Sequence, residues 1–126
     1  MEHILTVTET KVKYQTLYLI PIEDWPEKEW ATLEDGGRML ADSDALAFVY
    51  TLESPESFVQ LRMPKSIWPA LKEAYEQELG VCVKGPDVLD LPLFPAELAF
   101  ILDNVPGNGN YGSSMVEAVE EAFQLT

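Results

Sequence analysis

Asp42 and Asp44 stand two residues apart in Ala41-Asp42-Ser43-Asp44-Ala45, the one place where closely spaced carboxylates suggest chemistry. With Glu53 or Glu56 they could hold Mg²⁺ or Ca²⁺, because hard cations collect several oxygen ligands. The full calcium-loop pattern is missing. As acid and base for sugar hydrolysis, two residues of one turn are too close to flank a scissile bond. Short polar side chains also close turns by bonding their own backbone, and that is the first reading of Asp42-Ser43-Asp44. A second unusual stretch is Gly107-Asn108-Gly109-Asn110-Tyr111-Gly112. Its glycines match the G-x-G-x-x-G dinucleotide spacing, but an apolar helical pattern precedes it where a strand is required, and no basic residue supports it.

Other reactive types are sparse. His3 is the only histidine, which leaves no material for a histidine-based triad or a multi-histidine metal site. P-loop and G-x-S-x-G patterns are absent. Cys82, the single cysteine, lies between Val81 and Val83 and reads as a buried structural thiol. We therefore expect no catalytic residue, no cofactor and no metal ligand.

Composition bounds the rest. A chain of 126 residues with 47% hydrophobic and 24% charged residues suits one α+β domain covering residues 1–126. No apolar run is long enough for a membrane span, and Met1-Glu2-His3-Ile4 does not open a signal peptide, so a cytoplasmic location is expected. The net charge is −14. No Lys or Arg follows Lys84, while Asp87, Asp90, Glu97, Asp103, Glu117, Glu120 and Glu121 do. Such a surface repels phosphates and anionic lipid, so neither nucleic acid nor membrane is an expected partner. It suits solubility or a basic protein partner.

The elements that would position these groups begin with strands at His3 to Thr10 and Lys13 to Ile22, joined at Glu9-Thr10-Lys11. Glu23 to Gly37 reads as a loop with one helical turn between Pro26 and Leu33, carrying Trp25 and Trp30. Arg38 to Ala41 and Ala45 to Glu53 flank the aspartate turn; the second is apolar on both faces and reads as the central strand. Ser57 to Met63 is a further strand. Ser66 is placed to cap a helix running to Leu79, with Pro69 in its first turn and Gly80 as its stop. Trp68 falls about 100° from the apolar stripe, leaving it partly exposed. Short strands at Val81–Lys84 and Val88–Leu91 surround Gly85-Pro86-Asp87. Leu98, Ile101, Leu102 and Val105 mark a second helix, and Met115 to Phe123 a third. Between them the glycines stop one helix, Asn110 or Ser114 caps the next, and Tyr111 folds inward. The expected architecture is a mainly antiparallel sheet of five to seven strands with two or three helices on one face and a C-terminal helical hairpin.

Leu40-Ala41-Asp42-Ser43-Asp44 leading into Phe48-Val49-Tyr50, then Trp68-Pro69-Ala70-Leu71-Lys72-Glu73-Ala74, then the glycine–asparagine hexapeptide, form a specific series. In order and spacing it resembles the YjbL-like uncharacterised proteins (UPF series) of Bacillus-type Gram-positive bacteria. The likeness covers most of the chain and is weakest over Glu23 to Gly37, where a longer, tryptophan-rich loop stands, and at the proline-rich Val81 to Leu91 hairpin. It implies a small bacterial cytoplasmic protein with no assigned activity, and carries over no functional residue.

The leading reading is a non-enzymatic protein-interaction or regulatory module. Its candidate contact residues are Trp25, Trp30, Trp68, Asp42, Asp44, Asn108, Asn110 and Tyr111. The alternative is a small-molecule or metal-dependent enzyme with a site near the 42–44 turn and the 107–112 loop, which requires those two segments to meet. A third option is function through self-association.

Overall fold

β1 (Ile4–Lys13) and β2 (Thr16–Pro21) form a hairpin in a computed structural model that describes residues 3–125. Met1 and Glu2, on which the reading of the chain's start rests, lie outside the described residues, as does Thr126. The turn is Tyr14-Gln15, both residues at positive φ (51° and 63°), the backbone twist a two-residue hairpin requires. The expected turn at Glu9-Thr10-Lys11 is strand instead. Those residues are polar because that end of β1 is largely exposed, not because the chain reverses there. A bulge between Val7 and Glu9 resets the register.

Five more strands complete one sheet: β3 (Glu34–Asp42), β4 (Ala47–Glu53), β5 (Phe58–Pro64), β6 (Gly80–Lys84) and β7 (Val88–Asp90). Their order is β3-β4-β5-β1-β2-β6-β7. The first hairpin sits between β5 and β6, and each of its strands runs parallel to its outer neighbour. The α+β class holds, but the sheet is mixed and not mainly antiparallel. The central place belongs to β1, with β4 second from the edge. β4 is apolar on both faces for another reason: Arg62 on β5 reaches across it to Asp42 on β3, over Ala47 and Val49. The sheet curls until its two end strands, β3 and β7, touch.

The α-helices are α1 (Glu27–Trp30), α2 (Trp68–Gln77), α3 (Phe94–Asn104) and α4 (Ser113–Phe123). Ser66 does not cap α2: Lys65–Ile67 forms a 3₁₀ turn first, and Pro69 then occupies the first α-helical turn. The stop is Glu78 in the left-handed conformation, two residues before Gly80, which belongs to β6. α2 lies against both α3 and α4, the two helices that the sequence pairs as a C-terminal hairpin, and they meet it more than they meet each other.

One core joins sheet and helices. Phe48 stacks on Trp68 at 4.8 Å between ring centroids, with Phe123 against both, and Tyr50 meets Phe94 at 4.8 Å. Asp35 ties this core to the edge of β3. It accepts from the buried Tyr50 hydroxyl, from Gly37 N at 2.8 Å and from Leu93 N at 2.9 Å. Burial, reinforced by that carboxylate, holds the Tyr50 phenol above its ordinary range. Glu97 of α3 accepts from Met39 N at 3.0 Å, occupying an edge amide of the sheet. Burial, with Asp90 nearby, pushes the Cys82 thiol up to about 11, which makes it a poor nucleophile.

Candidate functional site

The aspartate turn and the hexapeptide do meet. Ser43 Oγ donates to the Tyr111 carbonyl at 2.6 Å, a contact that the sequence alone does not show. Asp42 is already engaged, by Arg62 and by Ala45 N at 3.2 Å, while Asp44 is exposed. Glu53 lies at the far end of β4 from Ala47, the partner of Asp42, about 20 Å away at strand rise. Among the described residues no three His, Cys, Asp or Glu side chains gather to hold a metal ion.

The hexapeptide is internally bonded. Asn108 accepts from Asn110 N at 3.0 Å, opening a 3₁₀ turn over Gly109–Tyr111, and donates to the Asn104 carbonyl at 3.2 Å. Asn104 donates to the Tyr111 hydroxyl at 2.9 Å, and Gly107 N donates to Glu120 at 3.0 Å. Neither Asn110 nor Ser114 caps α4. Gly112 precedes the helix at φ 84°, and Ser114 is already inside it. Gly107, at φ 71°, lies beyond the end of α3. A Cβ at 107, 109 or 112 would meet nothing within 4 Å, so the glycines at 107 and 112 serve backbone conformation, not close approach to a neighbour. Tyr111 packs partly buried against the core, as expected. The segment is a shaped connector.

Arg62 is the group that sequence reading passed over at this turn. Its guanidinium holds the Asp42 carboxyl below the usual carboxylate range, helped by the Ala45 amide. A lowered folded value means stability that is present above the unfolded carboxylate range and lost as pH falls through the folded one. Both side chains are about one-quarter to one-third exposed, which limits the pair to about 0.5–1 kcal/mol. Asp42→Asn is therefore expected to be less stable than wild type at neutral pH and to converge with it below about pH 4, measured by urea unfolding across pH. A constant difference between the two proteins would remove the assignment.

The tryptophans separate into two kinds. Trp68, expected to be partly exposed, is fully buried, and its Nε1 donates to the Met63 carbonyl at 3.0 Å. Trp30 is also buried, its ring lying where a Cβ on Gly85 would stand, 2.6 Å away. Neither is a contact surface. Helix geometry misplaced Trp68 because the 3₁₀ turn before it alters the angular count.

Trp25 differs. It is partly buried and walls two clefts. One, of about 360 Å³, has Leu33 and Val59 as buried floor, with Lys28 and Glu29 of α1 on one bank and the 54–57 turn on the other. The other, of about 620 Å³, includes Thr6, Glu23, Asp24 and Arg62. There Glu23 is held by the Thr6 hydroxyl at 2.7 Å and by the Thr6 amide.

A third depression, about 410 Å³, runs between α2 and α3, lined by Ala74, Tyr75, Leu79, Ala96 and Ala99 among others. Outside that lining, Leu93 and Phe100 are 53% and 66% exposed. Leu93, Ala96 and Phe100 fall at i, i+3 and i+7, a second apolar stripe that reading only the Leu98–Val105 stripe had missed. No helix among the described residues is long and apolar enough to cross a membrane.

A family of unknown function, UPF0738, matches residues 5–123. The chain is 44% identical over 95 residues to the UPF0738 protein of Shouchella clausii, covering 74% of this chain and 77% of that one. To the UPF0738 protein of Halalkalibacterium halodurans it is 37% identical over 120 residues, covering 94% and 95%. A UPF0738 protein of Staphylococcus aureus is 36% identical over 121 residues, covering 96% and 97%. The expected kinship with uncharacterised proteins of Gram-positive bacteria holds. No solved structure matches the chain.

Proposed function

We propose that this chain, which belongs to the UPF0738 family of unknown function, is a non-enzymatic protein-interaction module that takes a basic partner on the outward face of α3. The observation that carries this is the exposed stripe of Leu93, Ala96 and Phe100, of which Ala96 also lines the α2–α3 depression. A helix apolar on two sides ordinarily has both covered. In this reading the module is a single cytoplasmic domain whose helices gather on one side of the sheet, leaving that stripe outward.

Charge sets the partner's sign. Glu78 lines the depression and Asp103 follows Phe100 on α3, with no Lys or Arg anywhere after Lys84. An aromatic anchor within an acidic border suits a segment with apolar residues flanked by Lys or Arg, drawn in by long-range attraction. Nucleic acid and anionic lipid are repelled by the same border. The enzyme alternative has the Ser43–Tyr111 contact in its favour, but the carboxylate it needs at Asp42 is occupied by Arg62.

A photo-crosslinking residue at position 100, expressed in the native cell, is expected to give a discrete protein adduct. The same residue at Tyr14, also exposed, serves as the control and should not give it. Phe100→Ala should weaken the isolated complex about 30-fold, the range of a central aromatic contact. No adduct at 100, or the same adduct at both positions, rejects the surface.

A further inference from the structure

We propose that the smaller Trp25 cleft is a binding site for an organic ammonium group. It shares no lining residue with the α2–α3 depression, so it stands or falls independently of the interaction reading.

The cleft has the three parts that recognition of such a cation uses. Trp25 supplies an aromatic wall, whose electron-rich face attracts a cation over the ring. Leu33 and Val59 supply an apolar floor, against which methyl or methylene groups shed water. Glu29 from α1 and Glu56 from the 54–57 turn bring carboxylates from two separate segments. Lys28 is the one opposing charge; counting histidine neutral, the lining carries a net −1 within a chain of −14. Lys28 is exposed and its long stem lets the ammonium turn to water. A carboxylate-bearing ligand would face the sum of these fields, whereas an ammonium is drawn in by them. The ion suited to the wall and floor is organic, since a bare metal ion gains nothing from apolar surface and prefers several oxygens.

Trp25 is also held differently from the core tryptophan. Trp68 is pinned by its bond to Met63, while the Trp25 indole N–H is buried with no hydrogen-bond partner among the described residues. Its ring is positioned by packing alone. Buried indole donors are ordinarily paired, as that of Trp68 is.

Free amines and the lysine side chain of a polypeptide present the same chemistry, and one titration distinguishes them. Choline, its neutral isostere 3,3-dimethylbutan-1-ol, and Nα-acetyl-lysine N-methylamide are each added to ¹⁵N-labelled protein at constant ionic strength and slightly alkaline pH. Binding is read at the backbone amides of Leu33 and Val59. Choline or the lysine derivative should shift them saturably, the tighter of the two naming the source, and the neutral isostere should bind about tenfold more weakly. Trp25→Leu and, separately, Glu56→Gln should each weaken the cation severalfold while leaving the remaining spectrum in place. Glu56 lies in an exposed turn, so its variant keeps the test decisive if Trp25→Leu disturbs folding. Absence of saturable shifts with both cations, or equal binding of the neutral isostere, overturns the proposal.

Discussion

Trp68→Ala is expected to lower the unfolding free energy by about 3–5 kcal/mol, while Trp25→Ala lowers it by about 1 kcal/mol or less. Trp68 is fully buried, stacks on Phe48 at 4.8 Å, and closes its only polar atom onto the Met63 carbonyl. Truncation removes the indole from the centre of a three-ring cluster and leaves a cavity that α2 and β4 are too constrained to fill. The Met63 carbonyl also loses its donor. Trp25 is partly exposed and lacks the polar tether. Chemical denaturation of the two variants side by side measures the contrast. Similar losses for both would make Trp25 a second core residue and weaken the reading of its cleft as a site.

Asp35→Ala is the second large effect, expected at about 2–4 kcal/mol, more than its partly buried position alone suggests. Its carboxylate receives three donors from three places: Tyr50 on β4, Gly37 at the irregular stretch of β3, and Leu93 just before α3. Removing it leaves the phenol of Tyr50 unpaired in the core, where the desolvation penalty is fully felt. Tyr50→Phe alone should cost less, and the double variant should cost less than the sum of the singles, since each disrupts the same bond. Strict additivity in that cycle would show that the bond contributes nothing. Because Leu93 is tied directly to Asp35, Asp35→Ala should also weaken whatever binds the α3 stripe.

Much of the architecture is legible in residue order. The alternation of Phe48, Tyr50 and Leu52, and of Val59, Leu61 and Met63, marks strands with one face inward. The spacing of Leu98, Ile101, Leu102 and Val105 marks the buried side of α3. Sheet order is not legible. Parallel pairing of β1 with β5 and of β2 with β6 depends on where the hairpin lodges, and no residue in the hairpin encodes its neighbours by pattern alone. Local polarity also misled at Glu9-Thr10-Lys11, where exposure of a strand end imitates a turn.

The candidate site was less legible still. Tryptophan is chemically suited to both core and contact surface, and nothing in the spacing of Trp25, Trp30 and Trp68 sorts them. Only tertiary neighbours do: Gly85 for Trp30, Met63 for Trp68, and open clefts for Trp25. Arg62 was invisible as the partner of Asp42 because the two meet across an intervening strand, 20 residues apart in sequence. Phe100 carries its own signal, as part of a second and shorter apolar stripe on α3 beside the Leu98–Val105 one.

The central place of the first hairpin has a consequence during synthesis. β1 and β2 leave the ribosome before either of the strands that will flank them. Lys84, the end of β6, is translated 63 residues after Pro21, the end of β2. At about 5–20 residues per second the nascent hairpin spends about 3–13 s with at least one edge unpaired. A bare edge on the ribbon invites pairing with any other extended chain, including neighbouring copies on the same message. Polar Glu9, Lys11 and Lys13, together with the Thr8 bulge, lie along that exposed ribbon and discourage such encounters until its own partners arrive.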